Sequence, residues 1–214
     1  MCRPQELVLY YTPGACSLAS HIALEEAALP FEARHVNSYD EAARTAYLRV
    51  NPRGKVPALL ADGALLTETV AILTFVAALA PDLMPAKPWA RAQCLSRMAW
   101  FASTVHIAYR QTRRPERFAS RSEAFDAVKD AGHAAFRSAL AEIDTLLREA
   151  PWISGEQFGV ADGYALIFYG WGLSSGYDMS AYRAFSAFRE RCVARPALRR
   201  ALEREQSNIL IAPA

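Results

Sequence analysis

Sulfur is scarce and scattered in this 214-residue chain: the four cysteines (Cys2, Cys16, Cys94 and Cys192) include no C-x-x-C pair. That spacing argues against both a zinc site and a disulfide framework, and a reducing, cytoplasmic setting is expected. Neither sign of charge is in excess. Lys+Arg of 24 against Asp+Glu of 22 leaves a formal charge of +2, too balanced to imply a nucleic acid partner or an anionic membrane surface. The arginine-rich runs 110–117 and 195–204 read as solvated helix faces. No apolar stretch approaches the roughly 20 residues that cross a bilayer, and "VAILTFVAALAP" is short enough for a buried helix. The opening "MCRPQELVLYY" lacks the long apolar run of a secretory signal, so none is expected. There is no internal repeat and no low-complexity tract.

With 52% hydrophobic and 21% charged residues, the chain has material for an ample core, in one large domain or two small ones. "ELVLYY" reads as a strand stopped by Thr12-Pro13-Gly14. From Ala15 the period changes: Leu18, Ile22, Ala23 and Ala27 share a helical face, Glu25 and Glu26 fall off it, and Pro30 closes the helix. "FEARHV" predicts a second strand and "DEAARTAYLRV" a short helix ending before Pro52. "VPALLADGALL" predicts two strands turning at Asp62-Gly63. An apolar helix follows, with Thr67 as its expected N-cap and Glu68 in its first turn. The order is β-α-β-α-β-β-α over residues 1–81. The proline-rich stretch 82–88 is the expected linker. Residues 89–214 read as all-helical, with segments 89–113, 122–149, 160–169, 179–194 and 196–205. The fold class is therefore α/β plus all-α.

Three stretches carry possible chemistry. Cys16 falls at the start of the first helix, where unpaired N–H groups and the helix dipole favour an anion, so its thiol pKa is expected to fall. The competing reading is a small apolar packing residue. Val56-Pro57 opens a strand with a residue that cannot donate to the ladder. Either the bond is cis, turning the Val56 main chain outward toward a peptide-like ligand, or it is an ordinary trans proline on an edge. Glu68 and Thr69, at a helix start, suit a ligand carrying an ammonium beside a carboxylate, and equally suit a plain helix cap.

Together, "LYYTPGACSLASHIALEEAALPFE", "NPRGKVPALL", "LLTETVAIL" and "GEQFGVADGYALIF" resemble the soluble glutathione transferases, most closely the bacterial beta class with its active-site cysteine. The resemblance runs from about Leu7 to Glu205. It implies a thioredoxin-like first domain, a helical bundle as the second domain, glutathione as co-substrate, a small apolar electrophile and a homodimer. By the same resemblance Cys16 matches the cysteine that contacts the glutathione sulfur. Val56 matches the residue whose backbone pairs with the cysteinyl unit, Pro57 the cis-proline, and Glu68 and Thr69 the pair holding the γ-glutamyl end. Ser103 and His106, in "FASTVHIAY", match polar contacts reaching the thiol from the second domain.

The chain also departs from that pattern. Ala99 stands where an asparagine is frequent, Ile107 replaces a lysine, and the loop "NSYDEAAR" offers Asp40 and Glu41 in place of a lysine near the glycyl carboxylate. Lys55 or Arg53 is left to supply that charge. A lost charge-assisted contact is worth about 1.5–3 kcal/mol, roughly 10- to 150-fold in affinity. Gly159 replaces the Ser or Thr of a capping box closed by Asp162, and Gly163 weakens the packing with Phe158, so Gly159→Ser is expected to raise the melting temperature.

Three functions remain open at this point. Glutathione thiolate could be conjugated to an apolar electrophile resting on aromatics such as Trp100, Tyr109, Phe168 or Trp171. Cys16 could instead carry thiol–disulfide exchange or peroxide reduction through a mixed disulfide. The scaffold could also be a non-catalytic binding protein. Ser17 and Tyr11 are the fallback hydroxyl donors to the thiolate.

Overall fold

A computed structural model describes residues 4–37 and 40–211, so Cys2 and part of the "NSYDEAAR" loop lie outside the described residues. The first half shows the expected order: β1 (Leu7–Tyr11), α1 (Ser17–Glu26), β2 (Glu32–His35), α2 (Glu41–Val50), β3 (Ala58–Ala61), β4 (Ala64–Thr67) and α3 (Thr69–Leu79). The sheet runs β2-β1-β3-β4. β1 pairs parallel with β2 and antiparallel with β3, placing Leu9 opposite both Ala33 and Leu59. All five residues of β1 are buried because both faces are covered. Leu7, Leu9 and Tyr11 point into a large core shared with α1 and α3, while Val8 and Tyr10 meet Tyr47 of α2 on the other face. The β3–β4 turn uses Asp62 and Gly63, both at positive φ (48° and 80°), as a tight hairpin requires.

The second half is helical: α4 (Pro88–Trp100), a π-helical turn (Phe101–Val105), α5 (His106–Arg113), α6 (Phe125–Glu149), α7 (Val160–Ser174), α8 (Arg183–Val193) and α9 (Pro196–Arg204). The predicted segment 89–113 is thus one rod whose middle is widened by a π turn, with His106 N–H bonded to the Phe101 carbonyl. α7 is buried from Val160 to Gly172, which its apolar circumference dictates, and it continues past the predicted end at 169. No helix of the described residues is long and apolar enough to cross a membrane.

Three expectations are corrected here. Glu68, not Thr67, is the N-cap of α3, since Thr67 is spent closing β4. The arginine run 195–204 is not simply a solvated face. Arg195 forms a two-pronged pair with Glu26 at 2.8 and 2.7 Å, and Arg200 reaches Glu25 at 2.8 Å, tying α1 to the C-terminal helices. A buried pair, His21 Nδ1 to Glu205 Oε1 at 2.8 Å, lies along the same seam.

The third correction concerns Gly159. A Cβ there would stand 2.6 Å from both the Leu83 carbonyl and Ser154 Oγ, so glycine is kept for close approach, not for want of a better cap. Gly159→Ser is therefore expected to destabilise the protein by about 1–3 kcal/mol, the usual range for overpacking. At this chain length that is a fall in melting temperature of roughly 2–12 °C, read by thermal unfolding; an unchanged or higher melting temperature would restore the capping argument.

Candidate active site

The N-termini of α1 and α3 and the turn before β3 converge at one end of the sheet's strands, and the π turn, α5 and α7 close over them. Between them lies a cleft of about 220 Å³. Cys16, Lys55, Val56, Pro57, Glu68, Thr69 and His106, separated by up to ninety positions in sequence, all border it.

Cys16 is the N-cap of α1. The turn before it is fixed by an Ala15 N–H to Thr12 carbonyl bond of 3.1 Å, and Trp171 Nε1 donates to the Gly14 carbonyl at 2.8 Å, fastening the turn to α7. Cys16 is only 9% exposed, and what it exposes faces the cleft. The expected drop in its pKa is overturned. Burial pushes the thiol up to about 11 and outweighs the Thr69 side chain and helix-terminal N–H that pull it down. The helix terminus supplies only part of a thiolate's solvation, and the enclosing core removes the rest. At neutral pH Cys16 is therefore an S–H donor.

The Val56–Pro57 bond is cis, which resolves the alternative left open by the sequence. The Val56 carbonyl lies 3.6 Å from Cys16 Sγ and takes a weak bond from it. Among the described residues no protein acceptor meets the Val56 N–H. The approach to Val56 is rigid: the Lys55 carbonyl accepts from Tyr47 Oη at 2.6 Å and from Asn51 Nδ2 at 2.7 Å. α2 thus holds the loop although it contributes little else to the cleft.

Glu68 adopts φ +70°, ψ 123°, a conformation costly for a residue with a Cβ and found mostly where function demands it. That backbone swings its carboxylate to the cleft mouth, 3.3 Å from Arg53 Nη1, and leaves Thr69 as the first residue of α3. On the opposite wall His106 lies edge-on to Trp171, with ring centroids 4.9 Å apart. Burial, with Arg110 and Lys55 nearby, pushes its pKa down to about 4, so it is neutral at pH 7.

Other candidates fall elsewhere. Ser103 is exposed, does not border the cleft, and its Oγ lies 3.5 Å from Thr104 Oγ1; the π turn rotates it away. Ser17 Oγ is engaged with the main chain of Thr12, and Tyr11 packs against His21 and His35, so neither hydroxyl reaches the cleft. Trp100, Tyr109, Phe168 and Trp171 do not line it either. Tyr109 and Trp171 stack at 4.2 Å, a packing role that supports the wall from behind. Several bordering residues escaped the sequence reading: Asn51, Val70, Ala102, Tyr164 from α7 and Arg110 from α5. Arg110 is four positions after His106, the spacing that puts two side chains on one helix face, and that was its available signal.

Comparison with known proteins bears on the family and the fold. The family models for the glutathione S-transferase N-terminal and C-terminal domains match residues 14–79 and 101–196. The chain is 32% identical over 203 residues to glutathione S-transferase GstA of Escherichia coli O157:H7, covering 92% of this chain and 98% of that one. Among solved structures, a Sulfitobacter glutathione transferase homologue with bound glutathione has a TM-score of 0.86 at 36% identity, covering 93% of this chain and 98% of the other. A sphingomonad glutathione S-transferase complexed with glutathione has a TM-score of 0.81 at 39% identity, with the same coverage of each chain. A beta-class enzyme of Sphingomonas chungbukensis has a TM-score of 0.81 at 37% identity, covering 92% and 98%. By sequence, domain content and fold, the chain belongs to the glutathione S-transferase family.

Proposed function

We propose that this protein joins glutathione to an electrophilic carbon in the cleft beside Cys16. The observation that carries the reading is the unpaired Val56 N–H next to a cysteine at a helix N-terminus, a peptide-pairing edge placed one residue's reach from a sulfur-binding point. In this arrangement the cysteinyl unit of glutathione pairs with Val56. Its ammonium meets Glu68, its γ-glutamyl carboxylate meets the Thr69 N–H and hydroxyl, and its glycyl carboxylate meets Lys55 or Arg53.

The glutathione sulfur then lies at the α1 terminus, where backbone N–H groups and the Cys16 S–H hold it as thiolate, with neutral His106 on the far wall. The thiolate's electron pair forms the new S–C bond. The displaced leaving group departs with the C–X pair, and the thiol proton goes to solvent. The thiol pKa of about 11 argues against Cys16 itself as the nucleophile of an exchange or peroxide reaction. Kinship with the family supports a homodimer acting in the cytoplasm, and the exposed Leu65 of β4 and Trp89 of α4 are apolar surface that a second copy would cover.

Calorimetric titration with glutathione and S-hexylglutathione tests the reading. Both are expected to bind, and Glu68→Gln is expected to weaken both by roughly 10- to 150-fold through the lost ammonium contact. No binding of either up to roughly 10 mM would set the proposal aside, since that limit leaves less than about 3 kcal/mol of association.

A further inference from the structure

We infer that the electrophile this enzyme accepts carries a carboxylate or comparable anion, and that Arg110 is the residue that selects it. The inference rests on the conjugation reading above. Arg110 borders the cleft from α5 beside His106 and Ile107, on the wall opposite the glutathione-binding edge. The groups acting on it electrostatically are Arg117 and Cys16, neither of them a carboxylate, and burial already disfavours its charge. A guanidinium that is partly desolvated and unpaired by any carboxylate of the described residues is a standing demand for an anion.

Glutathione does not meet that demand. Its ammonium and two carboxylates are matched by Glu68, Thr69 and the Lys55–Arg53 side, and its sulfur by Cys16 and the α1 terminus. Arg110 stands on α5 four residues after His106, the spacing that puts both side chains on one helix face. It belongs with the second-domain wall and not with the sulfur. Bordering residues carry three cations, Arg53, Lys55 and Arg110, against the one carboxylate of Glu68. The same wall offers Ala102 and Ile107 to an apolar body. The substrate class is therefore an apolar electrophile bearing an anionic substituent, with the apolar part on these two side chains and the anion on Arg110.

The test pairs 4-chloro-3,5-dinitrobenzoate with its methyl ester, each enzymatic kcat/KM divided by the uncatalysed rate constant with glutathione. In both, sulfur displaces chloride, so only the anion differs. The wild-type ratio of acid to ester is expected to be about tenfold or more, the size of one charge-assisted contact. In Arg110→Leu the ratio should fall to near one, through the KM of the acid, while Arg110→Lys retains part of it. Arg113→Leu, at an exposed position outside the cleft, should keep the wild-type ratio. A wild-type ratio near one, or equal losses on acid and ester in Arg110→Leu, would overturn the inference and leave glutathione conjugation standing. Failure to bind glutathione in the calorimeter is the separate signature that the conjugation reading itself is wrong.

Discussion

Asp162→Ala is expected to cost about 3–5 kcal/mol of folding stability through orphaned N–H groups, a fall in melting temperature of roughly 6–20 °C for a chain of this length. Asp162 is fully buried near the start of α7. Its carboxylate accepts the N–H of Ile153 at 2.6 Å, of Gly159 at 2.8 Å and of Ser154 at 3.4 Å. Burial lifts its pKa to about 6, and those donors keep it from rising further, so it is ionised at neutral pH. Removing it orphans three N–H groups at once, each costing about 1–3 kcal/mol where water cannot reach. Because α7 carries Tyr164 and Trp171, the loss should also loosen the Cys16 turn that Trp171 holds. Asp162→Asn, which keeps one acceptor oxygen, should fall between wild type and alanine. Chemical denaturation reads the effect, and a loss under about 1 kcal/mol for the alanine variant would show that the carboxylate is not what anchors this helix.

The second large effect separates two chemistries at one residue. In Cys16→Ala, thiol–disulfide exchange through a mixed disulfide must vanish, because the sulfur that would form it is gone. Conjugation should fall only about 2- to 12-fold, the worth of an ordinary hydrogen bond, because a thiol is a weak donor to the glutathione thiolate and the α1 terminus and the Val56 edge remain. The raised pKa adds a pH signature. A shift from 9.0 to about 11 leaves Cys16 roughly 100-fold poorer in thiolate at pH 7 than an ordinary cysteine, and its alkylation by iodoacetamide, followed by peptide mapping, should rise with pH well past 9. Rapid alkylation at pH 7 with loss of conjugation in the alanine variant would make Cys16 the nucleophile and remove the hydrogen-bond-donor role.

The two predictions differ in how far the sequence alone anticipated them. The role of Asp162 was visible as half of a capping box in "FGVAD", but its reach to Ile153 and Ser154 was not, because those bonds close a loop whose path depends on Leu83 and α7. The same crowding inverted the expectation for Gly159. Local capping rules treat a helix end as though only its own residues were present. For Cys16 the helix-terminus argument gave the right position and the wrong sign of the pKa shift. A dipole is a local property, whereas desolvation is set by everything packed around the thiol. Ser103 and Arg110 make a matched pair: two side chains on the same predicted helix exchanged places relative to the cleft. The π turn at Phe101–Val105 contains Ser103 and precedes the face that His106 and Arg110 share, so a reading of an unbroken 3.6-residue helix keeps His106 with Arg110 but cannot place Ser103.

What the chain order determined by itself was the succession of elements, the hairpin at Asp62-Gly63, the βα junction at Cys16 and the membership of the cleft's peptide-binding edge. Each depends on residues close together in sequence, where turn chemistry and periodicity act. Tertiary structure alone decided the protonation of Cys16 and His106, the docking of the arginines of α8–α9 onto α1, and the presence of an unpaired Arg110 in the cleft. Charge states and close approaches depend on solvent exclusion by distant segments, and that is a property of the assembled core.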